Sequence, residues 1–443
     1  MSADELGRPI PDSVHAISMS LPRWEDVVGY EEKTPAVMSR IKTGYPRFVI
    51  HPLVREMARQ LGHFPWPSAR VAEMAAGFAP EMFWQHTGLI VSSRQAEAFL
   101  AGRKVENVPD LFRSLRQQLA GFYDCGKDDV FLQPTGMAAQ FAALRAAMAR
   151  RPGRATAQLG FPYVDTLKLQ QKFGAGAHLL HFLATIEMDL HALIHREPLA
   201  ACFCEIPGNP LLGSADLRRV TPLLREHGVP LVADDVVATP FNVDLSGHAD
   251  LIATSLTKYI AGTGDVMGGA LICNPRSPLY AELKPIVAAQ HEELLFVEDA
   301  AVIEREARGF PERMRRHNAS GLLIAERLRA HPALEKVWYP KWEFTESYEA
   351  VRRPTGGYSS LITFLPRNAE TTSPRIYDRL ELCKGPSLGT VFTLACPFTL
   401  LAHYTELDWA EACGVPRHLI RISVGLEDPD DLWRRLQHAL ATA

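Results

Sequence analysis

No stretch of this sequence approaches the roughly 18–20 consecutive apolar residues that a helix needs to span a bilayer. Net charge is also scarce: 47 Lys and Arg against 51 Asp and Glu leave −4. No broad basic face follows from that balance, so nucleic-acid binding loses its electrostatic basis. The opening MSADELGRPIPDS lacks the basic and apolar regions of a secretory leader, and a cytoplasmic protein is expected. Cysteine is sparse, odd in number at 7, and without metal-ligand spacing. Only Cys202 and Cys204 are close; on a strand they share a face and read as small core residues. Neither a metal site nor a disulfide framework is expected. Phosphate loops of nucleotide-binding type are missing too. No G-x-x-x-x-G-K-[ST] occurs, and Gly262-Thr263-Gly264 fails as G-x-G-x-x-G because Met267 holds the sixth position.

What is present is ordinary globular material: 443 residues, 47% apolar and 22% charged, enough for two domains or one extended α/β unit. Residues 1–62 are rich in Pro, Gly and aromatics without a sustained period, and read as an extended arm with short helices that lies against another surface. From about residue 107 strand and helix patterns alternate. DDVFLQ, ATAQLG, AHLLHFL, ACFCEI, VPLVADD, ADLIATS and GGALICN read as strands. MAAQFAALRAAMARR, opened by Thr135-Gly136, and DTLKLQQKF read as helices. Thr221-Pro222 is expected to open a helix, with Pro222 at its first position and Gly228 just past its end. Such alternation predicts a mostly parallel, helix-covered sheet over 63–310. Helical patterns then dominate, as in ASGLLIAERLRAHPALEKVWYP, and 311–443 form a smaller α+β domain with strands SSLITFLP and LIRISVGLE.

In open α/β sheets ligands collect at the carboxyl ends of strands. Thr135, Gly136 and Met137 follow one strand, Asn209 another, Asp234 ends a third, and Ser255, Thr257 and Lys258 follow a fourth. A helix N-terminus and hydroxyls suit a phosphate. A buried acid can hold a pyridine nitrogen in its protonated form, and a lysine amine can form an imine with an aldehyde. Together these describe pyridoxal 5'-phosphate. Taken singly, each has an ordinary explanation: a helix cap, a structural acid, a solvated lysine.

The motifs PTGMAA (134–139), GFPY (160–163), EIPGNP (205–210), VADDVVATPF (232–241), TSLTKYIAGTGDVMGG (254–269), SLG (387–389) and IRISVGLED (420–428) resemble those of the Cys/Met-metabolism pyridoxal-phosphate enzymes, from about Tyr45 to the C-terminus. HAISMSLPRWEDVVGYEE, GYPRF and TLACPFTLLAHY resemble cystathionine γ-synthases of fungal type. The resemblance implies an aspartate aminotransferase-like fold (pyridoxal-phosphate fold type I). It implies Lys258 as the Schiff-base lysine, Asp234 at the pyridine nitrogen, and phosphate held by Thr135, Gly136, Met137, Ser255 and Thr257. It further implies Tyr163 on the ring and in proton transfer, Asn209 at the ring hydroxyl, and Arg421 with Ser387 at the substrate carboxylate. Tyr45 and Arg47 match an arm that reaches a neighbouring subunit's phosphate, hence a homodimer or homotetramer with amino-acid substrates.

Three departures stand out. The arm motif runs Tyr45-Pro46-Arg47-Phe48-Val49-Ile50-His51-Pro52, one residue longer than usual and with His for Asn. Phe392-Thr393 replaces the Glu-Ser of many bacterial members, and Gly262-Thr263-Gly264-Asp265 replaces Gly-His-Ser-Asp. The first two fall where substrates enter, so they bear on substrate identity. The expected reaction is γ-replacement on an O-activated homoserine by a thiol such as cysteine, giving cystathionine. The alternatives are a γ- or β-lyase of sulfur amino acids, γ-replacement by another nucleophile, and a non-catalytic pyridoxal-phosphate-binding protein.

Overall fold

The computed structural model describes residues 3–44, 49–106 and 108–442. The N-terminal segment carries a short antiparallel ladder, β1 (Pro9–Ile10) with β2 (Ser18–Met19). Seven strands form the large sheet: β3 (Val130–Gln133), β4 (Thr156–Leu159), β5 (Ala177–Leu180), β6 (Cys202–Glu205), β7 (Leu231–Asp234), β8 (Leu251–Ser255) and β9 (Gly269–Cys273). Their order is β3-β9-β8-β7-β6-β4-β5. Only β9 runs antiparallel to its neighbours β3 and β8; the other pairs are parallel.

Both faces of this sheet are covered, which is why its strands read as continuous apolar runs. Leu231 and Ala233 join one core with Cys202 and Cys204, whereas Val232 and Phe203 join the core on the other face with the helix Gly136–Arg150. The two cysteines thus share a face, as their spacing predicts. Among the described residues all seven thiols are free. No described helix is long and apolar enough to cross a membrane.

A second sheet, ordered β10 (Leu334–Trp338), β11 (Leu361–Pro366), β14 (Ile420–Ser423), β13 (Leu394–Cys396), β12 (Cys383–Lys384), forms the C-terminal domain. Leu334–Trp338, part of the run expected to be helical, is therefore a strand. The preceding helix ends at Arg329, and pairing with β11 captures the residues beyond Pro332. That 20-residue helix, Phe310–Arg329, spans the expected boundary at 310: Phe310 and Met314 belong to the large core, Ile324, Ala325 and Leu328 to the small one. The helix expected to open at Pro222 instead runs Leu217–Glu226. Asp216 caps it by accepting from the Arg218 amide, and Pro222 sits inside, at the loss of one hydrogen bond to a helical carbonyl. Gly228 does lie past its end, at φ +60.

The N-terminal segment lies against the C-terminal domain of its own chain. Leu6, Met19, Leu21, Val27, Tyr30 and Val37 share a core with Ile362, Phe364 and Tyr377. Trp24 lies edge-on to Tyr377 and stacks near His418. The Tyr377 hydroxyl donates to the Leu21 carbonyl at 2.7 Å, and the Leu21 amide donates to the Lys384 carbonyl at 2.8 Å. Lys384, fully buried, donates its ammonium to the Pro22 carbonyl at 2.7 Å; burial pulls its pKa down to about 8. From this anchor the segment reaches the site loops: the Ser18 hydroxyl donates to the Pro386 carbonyl at 2.7 Å and the Ile17 amide to the Gly264 carbonyl at 3.0 Å. Tyr45 and Arg47 lie outside the described residues. Because Leu21 is 1% exposed, L21A is expected to destabilise the protein by about 2–5 kcal/mol. Chemical denaturation of the variant and the parent measures it.

Candidate active site

Adjacent strands β6 and β7 end in Glu205 and Asp234, which are in register, and β8 ends in Ser255. These ends face a cavity lined from both the large and the C-terminal domain. Its wall includes Thr135, Gly136, Met137, Tyr163, Asn209, Asp234, Ser255, Thr257, Lys258, Ser387 and Arg421. The structure thus brings together every expected site residue that it describes.

At one end the helix Gly136–Arg150 points its N-terminus at the cavity. The Thr135 hydroxyl accepts from the Ala138 amide at 3.0 Å and donates to the Gly88 carbonyl at 2.9 Å. Gly136 is required here: a Cβ on it would stand 2.7 Å from the Ser255 Cβ. The space it leaves, bordered by backbone amides and the Ser255 hydroxyl, suits an anion. Thr257 lines the cavity, yet its hydroxyl is engaged by Gly268, accepting from the amide at 3.0 Å.

At the other end, Lys258 donates from Nζ to the Ser387 Oγ at 2.9 Å. Arg421 donates to the Ser387 carbonyl at 2.9 Å and to the Asn209 Oδ1 at 3.1 Å, with its guanidinium 4.8 Å from the Phe398 ring centre. Arg421 is 5% exposed and sits in strand β14, so its charge needs an acceptor that backbone and amide oxygens satisfy only in part. A carboxylate matches its fork. Tyr163 lies in the wall between these ends, its hydroxyl donating to Asp165 at 3.1 Å; His86 contacts the other oxygen of Asp165 at 3.1 Å.

Burial dominates the acids. It pushes the Asp234 carboxyl up to about 6, against the Val236 amide and the Gln140 side chain, which donate to it at 2.8 and 2.9 Å. Burial, with Asp234 alongside, also pushes Glu205 well above the usual carboxylate range. Yet both Glu205 oxygens accept backbone N–H groups, from Tyr163 at 2.5 Å and Asn209 at 3.1 Å, an arrangement that fits its ionised form. Asp235 is raised by burial to about 7, its carboxylate accepting from the Tyr123 hydroxyl at 3.2 Å.

Sequence reasoning missed Glu205 and Gln140. Each carries a signal in retrospect, as a lone polar residue within an otherwise apolar strand or helix stretch. It also missed Trp84, Gly88, Ile90 and Ile17 in the cavity wall, the last from the N-terminal segment. The departures resolve locally. His51 does the work of a capping side chain: its Nδ1 accepts from the Leu53 amide at 3.2 Å while Nε2 faces the Val14 carbonyl at 2.8 Å. Burial pulls its pKa down to about 4, keeping the ring neutral as a cap acceptor must be. Phe392 is not in the cavity wall. It packs on the other departure, Gly264, where an added Cβ would meet the ring at 3.0 Å.

An anion cradle without room for a Cβ, a carboxylate at a strand end and a lysine, all lining one cavity, fit a phosphorylated pyridine aldehyde. Comparison with known proteins agrees. The profile of the Cys/Met metabolism PLP-dependent enzymes matches residues 111–441. The chain belongs to this family. Its enzymes use pyridoxal phosphate, and this protein is accordingly a pyridoxal-phosphate-dependent enzyme of the transferase or lyase kind. It is 32% identical to a cystathionine gamma-synthase of Neurospora crassa, covering 99% of this chain and 98% of that protein. It is 33% identical to a cystathionine gamma-synthase-like protein, ankD, of Aspergillus thermomutatus, over 98% and 94%. Among solved structures, a methionine gamma lyase of Micromonospora echinospora (apo CalE6) superposes with a TM-score of 0.64 at 28% identity, covering 76% of this chain and 86% of that one. The fold is therefore the type I pyridoxal-phosphate fold expected from the motifs.

The raised acids set a pH dependence for the cofactor-free protein. Asp234 and Asp235 sit above their ordinary 3.8, so the folded chain holds protons that the unfolded chain releases. Their contribution to stability is full below about pH 4 and is lost as pH rises through about 6 to 7. D235N is expected to flatten this fall by about 4 kcal/mol between those limits. Urea denaturation of apoprotein across that range measures it.

Proposed function

We propose that this enzyme catalyses γ-replacement on an O-activated homoserine, with a thiol such as cysteine as the incoming group and cystathionine as the product. The observation that carries an amino-acid substrate is the Ser387 junction. Lys258 and Arg421 both donate to this one residue, through its hydroxyl and its carbonyl. An amino acid held by its carboxylate at Arg421 therefore has its α-carbon beside the lysine amine.

The residues divide the work. Gly136 and Met137 amides with the Ser255 hydroxyl hold the phosphate, Thr135 and Thr257 shape the loops that present them, and Asp234 holds the ring nitrogen. Asn209 serves the ring hydroxyl and braces Arg421, and Tyr163 covers the ring. Lys258, as a neutral amine, would take the α-proton and return protons at the later steps. Pyridoxal phosphate, when bound, supplies the electron sink that makes the α- and β-hydrogens acidic enough to remove. The γ-substituent would leave with the Cγ–O electron pair as a carboxylate or phosphate, the thiol sulfur would bond to the same carbon, and the thiol proton would balance the acid released. Tyr45 and Arg47 lie outside the described residues; their match to the family's arm motif assigns them to the phosphate of a neighbouring subunit, and on that reading the working form is at least a dimer.

The near full-length similarity to proteins called cystathionine gamma-synthases supports replacement over elimination. A lyase of sulfur amino acids shares every part named above, and the similarity to a methionine gamma lyase favours that as the second reading. Mass spectrometry of products from O-acetyl-, O-succinyl- and O-phosphohomoserine, with and without cysteine, separates them. Cystathionine formed only with cysteine is the expected result; 2-oxobutanoate and ammonia from methionine or cystathionine would replace it with the lyase. R421K is expected to raise KM for the amino acid about 10–100-fold while leaving the visible absorption of the bound cofactor unchanged, since the lysine ammonium cannot reproduce the fork.

A further inference from the structure

Gln140 sits in the second turn of the helix Gly136–Arg150, 2% exposed, in the cavity wall. Its Nε2 donates to the Asp234 Oδ2 at 2.9 Å, while its Oε1 is buried without a hydrogen-bond partner among the described residues. Two more buried polar atoms of the same wall lack a partner among those residues, the Trp84 Nε1 and the Thr166 Oγ1. The three side chains come from three helices that pack against one another, Pro80–Thr87, Gly136–Arg150 and Val164–Phe173. A buried amide with half its capacity unmet costs stability, and a leucine of similar size would fill the same space without that cost. Packing therefore does not explain a glutamine here. Its one engaged atom does, because the acceptor of that bond is Asp234.

We propose that Gln140 is a positioning residue that holds Asp234 in its ionised form, and so keeps the proton of the acid–pyridine pair on the ring nitrogen. The proposal rests on the reading that Asp234 faces that nitrogen. The pair has one proton and two places for it: carboxylate with pyridinium, or carboxylic acid with neutral pyridine. An N–H donor on the carboxylate favours the first. The surroundings favour the second. Asp234 is half-buried at the cavity wall, Glu205 stands in register on the next strand, and Asp235 follows in the chain. Lys258 is the cationic side chain that shares its cavity wall on the large domain. Against two neighbouring acids, the Val236 amide and Gln140 donate hydrogen bonds to Asp234, and of these two donors only Gln140 is a side chain open to substitution.

The test uses Q140L and Q140M, both apolar and of similar volume, with D234A as reference. In each Gln140 variant the proton moves toward the carboxylate and the ring loses positive charge. The pKa read from the pH titration of the bound cofactor's visible band is expected to rise by about one pH unit. The dissociation constant of pyridoxal phosphate, measured by fluorescence on apoprotein, is expected to rise about tenfold, and kcat to fall about tenfold with KM within about twofold. Loss of thermal stability with an unchanged titration and unchanged cofactor affinity would reduce Gln140 to packing and overturn the proposal. D234A separates the two layers. If D234A also leaves cofactor affinity unchanged, the assignment of Asp234 itself fails; if D234A weakens binding and the Gln140 variants do not, only the role of Gln140 fails.

Discussion

The site depends on one constraint: two parallel strands end side by side in carboxylates, inside the protein. Glu205 and Asp234 are in register on β6 and β7, and burial acts against the charge of both. An enclosed carboxylate is tolerable only when its lone pairs are met. The chain meets them in two ways. Glu205 takes the amides of Tyr163 and Asn209, so the acid fixes the backbone of two residues that face the cavity. Asp234 takes the Val236 amide and Gln140 but keeps its place in the cavity wall. One acid thus serves architecture, and the other remains available for chemistry.

The second organising contact crosses between domains. Ser387 comes from the C-terminal domain, just after β12, and receives Lys258 from the large domain and Arg421 from β14. The loop that carries it is held from behind by the N-terminal segment. Ser18 bonds the Pro386 carbonyl, and a Cβ on Gly385 would stand 2.4 Å from the Met19 carbonyl. Lys384, buried one residue earlier, ties the same strand to Pro22. The position of Lys258 is therefore set partly by residues from the far end of the chain, through a run of short contacts behind the Ser387 loop.

Much of this was legible in the sequence, because the physics that writes the pattern is local. Strands buried on both faces give apolar runs, as in VPLVADD, and a helix N-terminus after a strand gives Thr135-Gly136. The carboxyl ends of those strands then locate Asp234 and Lys258 without further knowledge. The features that stayed hidden depend on distant partners. LEKVW carries no strand signal stronger than its helical neighbours; pairing with β11 decides it. Pro222 reads as a helix start until Asp216 offers a better cap earlier in the chain than Thr221. Gln140 looks like a solvated break in an alanine-rich helix, and only the fold turns it toward Asp234. The N-terminal segment shows no period because its apolar residues complete another domain's core instead of building one of their own.

The departures from the family pattern argue the same point at the level of single residues. His51 stands where an asparagine is usual and still caps the helix Pro52–Leu61, since a neutral imidazole offers one acceptor at the geometry the amide oxygen would have. Phe392 and Gly264 depart together. The ring occupies the space that a side chain at 264 would need, at a φ of +75 that itself disfavours one. Two changes that look independent in the sequence are one packing solution, placed behind the loop that follows Lys258. They alter what supports the site and leave the cavity wall untouched. Differences in substrate between this chain and its relatives are then to be sought among the residues that do line the cavity, Ile17, Trp84, Ile90, Met267 and Leu388, and not at the positions where the motifs most visibly diverge.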